Sequence, residues 1–274
     1  MANYTAADIK EIREATGAGM LDVKKALDEA NGDKTKAVEL IRVKGLKGIA
    51  KREGRTASEG LIAVDIRDTE GGQTGTLVEL NSETDFVAKN DKFVALGDEA
   101  VAAAVESGAT EPEQLAETPF GEALTNAGAS MGEKILVRRI GRVSGEAVTE
   151  YMHRTNKDLP PQVGVLVATD AAGAEVARDV AMHIAAFTPA YLSRDEVPAE
   201  LVDNERRIAQ ETAENEGKTE KAIPKIVEGR LNGFYKENVL LDQAFAKDPK
   251  KSVGQVVEEA GGTVTGFVRF RVGN

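Results

Sequence analysis

The chain has 274 residues, of which 41% are hydrophobic and 30% are charged, and its formal net charge is −11. A chain of this length and composition can bury a full hydrophobic core and has room for more than one domain. The absence of cysteine excludes disulfides, thiol nucleophiles and zinc–thiolate sites, and the net negative charge argues against a general nucleic-acid coat.

Targeting and membrane segments are not expected. No apolar run approaches about 18 residues, the minimum for a membrane-spanning helix. Charged residues begin at Asp8, which leaves no room for the apolar core of a signal peptide. We therefore expect a cytoplasmic location.

The first 45 residues have the pattern of a three-helix bundle. Thr5 begins a helical apolar pattern that Gly17 interrupts, a second helix closes at Gly32, and Asp33 caps a third. Because a bundle of this size buries little area, we predict a docking module rather than a site of chemistry.

The module is the basic part of an acidic chain. Lys34–Arg55 contains eight Lys or Arg residues against Glu39 and Glu53, and we predict that residues 44–60 form a basic linker. The segment could follow a phosphate backbone. It has no aromatic side chain to stack on a base, so a solvated helix facing an acidic protein surface is favoured. An RNA- or ribosome-binding factor stays open as the alternative.

Beyond residue 60 the apolar period changes from helical to alternating. Two strands joined at Gly71-Gly72 and a following helix are predicted, and a similar strand–strand–helix order recurs from Val148 to Ile184. Two further strands, Ile135–Val143 and Val264–Val272, can complete two sheets. These patterns predict an α+β fold with two related subdomains and antiparallel sheets.

Residues 198–233 are charged and helical, and we predict a protruding helical hairpin that turns at Gly217. Its narrow apolar seam is predicted from Leu201, Ile208, Ile226 and Val227. The whole chain then divides into five parts. These are a docking module with its linker (1–55), a first core subdomain (56–143), a second core subdomain (144–197), the helical arm (198–233) and a return to the second subdomain (234–274).

The segment Val78–Asp91 carries the strongest functional signal. An apolar strand runs into a polar turn in which Asp85 and Phe86 are adjacent. A phenylalanine surrounded by polar residues suits insertion into a partner's pocket, although the local pattern alone favours a satellite contact beneath the next helix. We predict a protein-binding loop formed by Thr84, Asp85, Phe86 and Val87.

Catalytic and metal-binding motifs are not found in the sequence. Gly217-Lys218-Thr219 resembles the end of a P-loop, but Thr212 stands where the first glycine is needed. His183 lies on an apolar helical face and is predicted to be structural or interfacial, whereas His153 is the better surface candidate. We therefore predict a protein that is not an enzyme and has neither cofactor nor metal. A hydrolase using His153 and a nearby carboxylate stays open.

Five blocks resemble signatures of the bacterial elongation factor Ts family, in the family's order and across essentially the whole chain. The blocks are Thr16–Leu27, Thr84–Asp91, Met182–Ala186, Val227–Arg230 and Ser252–Gln255. The resemblance implies a guanine nucleotide exchange factor for the GTPase elongation factor Tu in translation elongation. It also implies a ubiquitin-associated-like N-terminal module, a core of two α+β subdomains and a coiled-coil arm.

The resemblance further implies how the partner is contacted. The Asp85-Phe86 loop would perturb the partner's Mg²⁺ and phosphate site, promoting GDP release so that GTP can bind. Further contacts are implied at Arg13, Met20, Leu21, Lys24, Met131 and His153. The family pattern implies no cofactor, no membrane and no direct nucleic acid, and it leaves open a dimer of the one-to-one complex.

Two features depart from the family pattern. The sequence ends at Asn274 directly after the last predicted strand, without the C-terminal helix of some members. The loop Arg154–Gln162 is also longer than the pattern leads us to expect.

Overall fold

The computed structural model describes residues 3–16, 18–52 and 54–273, so the predicted helix break at Gly17 lies outside the described residues. The helices are α1 (Ala6–Thr16), α2 (Met20–Glu29), α3 (Lys34–Arg52), α4 (Asp85–Ala88), α5 (Asp91–Ser107), α6 (Pro112–Ala116), α7 (Pro119–Met131), α8 (Ala174–Phe187), α9 (Ala199–Asn215), α10 (Ile223–Asn238) and α11 (Val253–Glu259). The strands are β1 (Glu59–Thr69), β2 (Gly72–Ser82), β3 (Leu136–Gly145), β4 (Ala147–His153), β5 (Val163–Thr169), β6 (Ala244–Phe245), β7 (Asp248–Ser252) and β8 (Val264–Arg271).

Two small antiparallel sheets form the centre of the fold. One has the strand order β1-β2-β3 and the other β4-β5-β8, and a two-stranded sheet pairs β6 with β7. The strands predicted from alternation are present, and the mixture of helices with antiparallel sheets confirms the α+β class. None of the described helices is long and apolar enough to cross a membrane.

Strand β2 is buried on both faces. Val78 and Leu80 point into a cluster with Phe93 of α5, while Leu77 packs with Leu166 of the second sheet. The first sheet therefore lies between a helical layer and the second sheet. Because side chains alternate along a strand, this position requires apolar residues at successive positions in β2.

The predicted basic linker is partly wrong, because α3 continues to Arg52. Gly45, which falls in the predicted linker, lies inside α3 and allows this helix to approach α7 closely. A Cβ atom at Gly45 would lie 2.2 Å from the carbonyl oxygen of Ala129. Arg52 is buried beside this contact and donates through Nη1 to the Gly128 carbonyl oxygen at 3.2 Å. Residues 44–52 therefore belong to α3, which contacts α7 at Gly45 and Arg52.

The arm is a pair of antiparallel helices, α9 and α10, but its predicted seam is partly wrong. Val227 is buried as predicted, whereas Ile208 is 43% exposed. The buried positions of α9 are Ala209 and Ala213, and Ala209 packs with Val227 and Leu231 of α10. Small residues at a close helix contact carry little hydrophobic signal, which explains the error.

The pair α6 and α7 is not among the predicted elements. Thr118 caps α7 through its side-chain oxygen, and Pro119 occupies the first turn. This Thr-Pro start is a common helix signal that the sequence does contain.

We predict that Gly45→Ala destabilises the fold by about 1–3 kcal/mol, because the added methyl group would push α3 away from α7. Gly229→Ala on α10 is the matched control, since no atom lies within 4 Å of the point that its added methyl group would occupy. That change should stabilise the fold by up to about 1 kcal/mol through helix propensity. Urea unfolding midpoints measure both. Equal stabilisation by the two variants would contradict the close α3–α7 contact.

Candidate functional site

The loop predicted to bind a partner forms a single helical turn, α4, directly after β2. Thr84 caps this turn, and its Oγ1 accepts a hydrogen bond from the Val87 amide at 3.4 Å. Ala88 is fully buried and Val87 is half-buried against the first-sheet cluster. Phe86 points the other way and is 72% exposed, so the satellite-contact interpretation is wrong.

The exposed ring lies beside two opposite charges. Lys89 places its Nζ 4.4 Å from the centroid of the Phe86 ring and 3.7 Å from a carboxylate oxygen of Asp85. Asp85 is half-exposed. Exposed ion pairs and cation–π contacts contribute at most about 1 kcal/mol each, so a partner could replace these interactions at small cost.

Four of the predicted contact residues lie on the N-terminal module, and all are exposed. They are Arg13, Met20, Leu21 and Lys24. Met20 and Leu21 are 60% and 73% exposed, unusual values for large apolar side chains at the start of a helix. Arg13 and Met20 line a cleft of about 990 Å³ whose other wall is Lys89–Lys92. The structure therefore brings these two residues close to the C-terminal end of α4.

Polar contacts tie the module to the core on two sides. Lys92 donates through Nζ to the carbonyl oxygen of Ala15, near the C-terminus of α1. Arg42 donates to Asn126 Oδ1 and Glu122 Oε1 of α7, each at 3.1 Å. Together with the α3–α7 contact, these bonds fix where Met20 lies relative to α4.

Met131 is the last residue of α7 and is half-buried. It lines a second cleft with Gly19 and Asp22, at the start of α2. Met131 therefore lies close to the start of α2, where Met20 and Leu21 are exposed.

His153 ends β4 on the second sheet and is exposed. Its Nδ1 lies 3.3 Å from the Tyr151 hydroxyl, and the two rings stack with centroids 6.1 Å apart. The polar group beside the ring is thus a phenol rather than a carboxylate, which gives no support to a hydrolase. The following loop returns to the first sheet, where Pro161 accepts a hydrogen bond from the Ile62 amide at 2.8 Å.

His183 is fully buried in the second subdomain, in agreement with a structural role. Its Nδ1 accepts from the Ala246 amide at 3.2 Å, so Nε2 carries the proton that is donated to Gln243 Oε1 at 2.9 Å. The ring also stacks on Phe187. Burial lowers the pKa of His183 below its ordinary value, and the hydrogen bond to Gln243 opposes this effect only in part.

The basic segment is largely engaged within the protein. Lys34 pairs with Asp8 and Glu11, Lys44 with Glu29, and Arg55 with Glu83. Arg42 and Arg52 contact α7, as described above. A phosphate backbone would have to displace these partners from five of the eight cations of the segment. Among the described residues, no cluster of His, Asp or Glu has the arrangement of a metal site.

Glu133 contacts the loop and is missed by sequence reasoning. Its carboxylate accepts hydrogen bonds from backbone amides of residues 83 and 84, which lie 50 and 49 positions earlier. No local pattern signals a contact over that distance. In the sequence, the Gly132-Glu133 pair serves only to match Met131 to the family pattern. It gives no sign of a contact with the loop.

The fold and the site together define an α+β protein that presents an exposed apolar loop beside a small helical module. A sequence model described as "Elongation factor TS" matches residues 83–274. Relatives named elongation factor Ts include proteins of Beutenbergia cavernae (64% identical over 280 residues), Micrococcus luteus (61% over 282) and Paenarthrobacter aurescens (60% over 282). Each alignment covers 100% of this chain and 100% of the relative. The chain belongs to the elongation factor Ts family. This family implies a nucleotide exchange factor for elongation factor Tu in translation elongation.

We predict that His183 makes stability depend on pH. The unfolded chain binds a proton below its ordinary pKa of about 6.5, while the buried ring resists protonation. Stability from this group is therefore full above pH 6.5 and falls as pH decreases, by at most about 1.4 kcal/mol per pH unit.

Urea unfolding from about pH 7.5 to about pH 5.5 measures the effect. His183→Gln should have lower stability but a flatter pH dependence than the wild type. An unchanged slope in His183→Gln would show that the buried ring is not the linked group.

Proposed function

We propose that the chain speeds GDP release from elongation factor Tu by inserting the loop Thr84–Val87 into the GTPase. The observation that carries the proposal is the Phe86 ring, which is 72% exposed although α4 is buried on its other side. A large apolar ring on a supported turn has the character of an interface anchor, because little ordering entropy is lost on binding.

The mechanism requires no covalent chemistry. A P-loop GTPase holds its nucleotide through Mg²⁺, the phosphate groups and backbone amides. A protein that binds the empty GTPase more tightly than the loaded form must weaken nucleotide binding by the same factor. Phe86 would act as a wedge beside the Mg²⁺ site, and Asp85 would alter the electrostatic environment of the ion. Exchange would then be faster in both directions, and GTP would enter the vacated site.

The remaining contacts would provide affinity and orientation. We propose that residues 1–55 dock through Arg13, Met20, Leu21 and Lys24. The fixed position of the module beside α4, held by Lys92 and Arg42, supports a shared surface with the loop. Met131 would extend this surface.

His153 would orient the second subdomain on the partner rather than transfer a proton. The remaining boundaries, at residues 143, 197 and 233, are proposed as the limits of the core subdomains and the arm. Because its partner acts in translation, we propose that the chain works in the cytoplasm.

The first prediction concerns the wedge. Phe86→Ala should lower the maximal rate of stimulated GDP release by roughly 30-fold, since removal of an aromatic anchor commonly costs ~2 kcal/mol or more. The melting temperature should change little, because the ring is mostly outside the core. Release of labelled GDP and thermal unfolding are measured on the same preparation.

Phe187→Ala is the matched control, because Phe187 is also more than half exposed but lies on α8 of the second subdomain. Its exchange rate per folded molecule should stay near the wild-type value. The wedge hypothesis is wrong if Phe86→Ala lowers the melting temperature strongly while exchange per folded molecule is retained.

The second prediction separates docking from exchange. The double variant Met20→Ala, Leu21→Ala should raise the concentration needed for half-maximal exchange by about tenfold, as expected for two lost apolar contacts. The maximal rate should be retained, because the loop is intact. A titration of the chain against labelled elongation factor Tu·GDP gives both quantities.

The control removes two exposed apolar side chains from another helix of the same module, Val38→Ala and Val43→Ala. It should leave both quantities near their wild-type values. A fall in maximal rate with unchanged half-saturation for the Met20, Leu21 variant would assign the module to the exchange step instead.

A further inference from the structure

We propose that Glu133 is a positioning residue that holds the loop Thr84–Val87 in the conformation that binds the GTPase. This inference rests on the proposed function. Its Oε2 accepts hydrogen bonds from the amides of Glu83 and Thr84, both at 3.0 Å. Its Oε1 accepts from the Thr84 hydroxyl at 2.6 Å. Three donors of one short segment therefore converge on a single carboxylate.

Glu83 in turn accepts a hydrogen bond from the segment that carries Glu133. A carboxylate oxygen of Glu83 accepts from the Lys134 amide at 2.6 Å, and Arg55 pairs with the same carboxylate at 3.2 Å. Residues 83–84 and 133–134 thus hold each other through side-chain and backbone groups of both segments. We call this set of hydrogen bonds the reciprocal clamp.

The Thr84 hydroxyl transmits the position of the clamp to α4. It donates to Glu133 and accepts from the Val87 amide, so its donor and one acceptor site are both used. The first turn of α4, which carries Phe86, is therefore connected to Glu133 through a single side chain. Hydrogen bonds to a charged acceptor are stronger than neutral ones, so the bond from Thr84 to Glu133 at 2.6 Å is the stronger of the two links.

The fold places Glu133 at the loop by a specific backbone feature. Gly132 follows α7 with φ of +74°, in the left-handed region where glycine is favoured. This turn directs the chain from the end of α7 back towards the end of β2. Since α7 also contacts the module through Gly128 and Asn126, one helix positions both the module and the loop.

The experiment compares Glu133→Ala, Glu133→Asp and Glu133→Gln. The alanine variant removes the acceptor, and the aspartate variant keeps the charge but draws it back by one methylene. We expect the alanine and aspartate variants each to lower the maximal rate of stimulated GDP release by about tenfold or more. A small displacement of Phe86 would have a large effect on that rate. The half-saturating concentration should change less than about threefold. Glu133→Gln keeps one oxygen acceptor and should recover most of the maximal rate.

A second readout does not require the GTPase. In the free chain, the amides of Glu83 and Thr84 should exchange hydrogen at least about tenfold faster in Glu133→Ala and Glu133→Asp. Glu99→Ala is the control, since Glu99 is an exposed acid on α5, and it should match the wild type in both readouts. If the alanine variant does not fold, the aspartate variant decides.

The outcomes separate the clamp from the proposed function. A wild-type chain that does not speed GDP release would refute the exchange proposal, while faster amide exchange in the variants would still support the clamp. If the wild type is active and the aspartate variant retains both its maximal rate and its amide protection, the positioning role of Glu133 is wrong. A lower melting temperature with an unchanged maximal rate per folded molecule would likewise reduce Glu133 to a structural residue.

Discussion

The burial of β2 on both faces is the constraint on which the rest of the structure depends. Its side chains alternate between the helical layer, through Val78 and Leu80, and the second sheet, through Leu77. Glu79 is also fully buried on this strand, where Arg139 pairs with it at 2.6 Å. A strand held in this way has one register and little freedom, because a shift of one residue would exchange its two faces. The loop with Phe86 follows directly after the end of β2, so the fixed strand also fixes where the loop begins.

The rigid strand and the exposed charges around Phe86 serve different purposes. The backbone of the loop is held by partly buried, charge-assisted hydrogen bonds to Glu133, whereas Lys89 and Asp85 interact weakly at the surface. A partner that bound this loop would meet a ring whose position is set in advance and whose polar neighbours can rearrange. This combination lowers the entropic cost of binding. It also fits an activity that acts through binding energy rather than through bond formation.

Sequence patterns predict the elements but not the contacts that orient them. Alternation identifies the two sheets, because that signal is local. The local pattern around Phe86 favours a contact beneath the next helix, whereas the ring is 72% exposed. Residues 44–52 are wrongly predicted as linker, since a glycine that permits close helix packing cannot be distinguished locally from one in a flexible segment. Ala213 is missed because small residues carry little hydrophobic signal. Glu133 could not be found, because its hydrogen bonds join segments about fifty residues apart.

The central claim is that the wild-type chain accelerates nucleotide release by binding the GTPase. The most direct measurement is the release rate of labelled GDP from elongation factor Tu, in excess unlabelled GDP, over a wide range of concentrations of the chain. The release rate of labelled GDP should rise with the concentration of the chain and then saturate. No phosphate should be liberated, because the nucleotide is displaced and not hydrolysed. A release rate equal to the intrinsic rate at every concentration of the chain would show that binding does not accelerate nucleotide release.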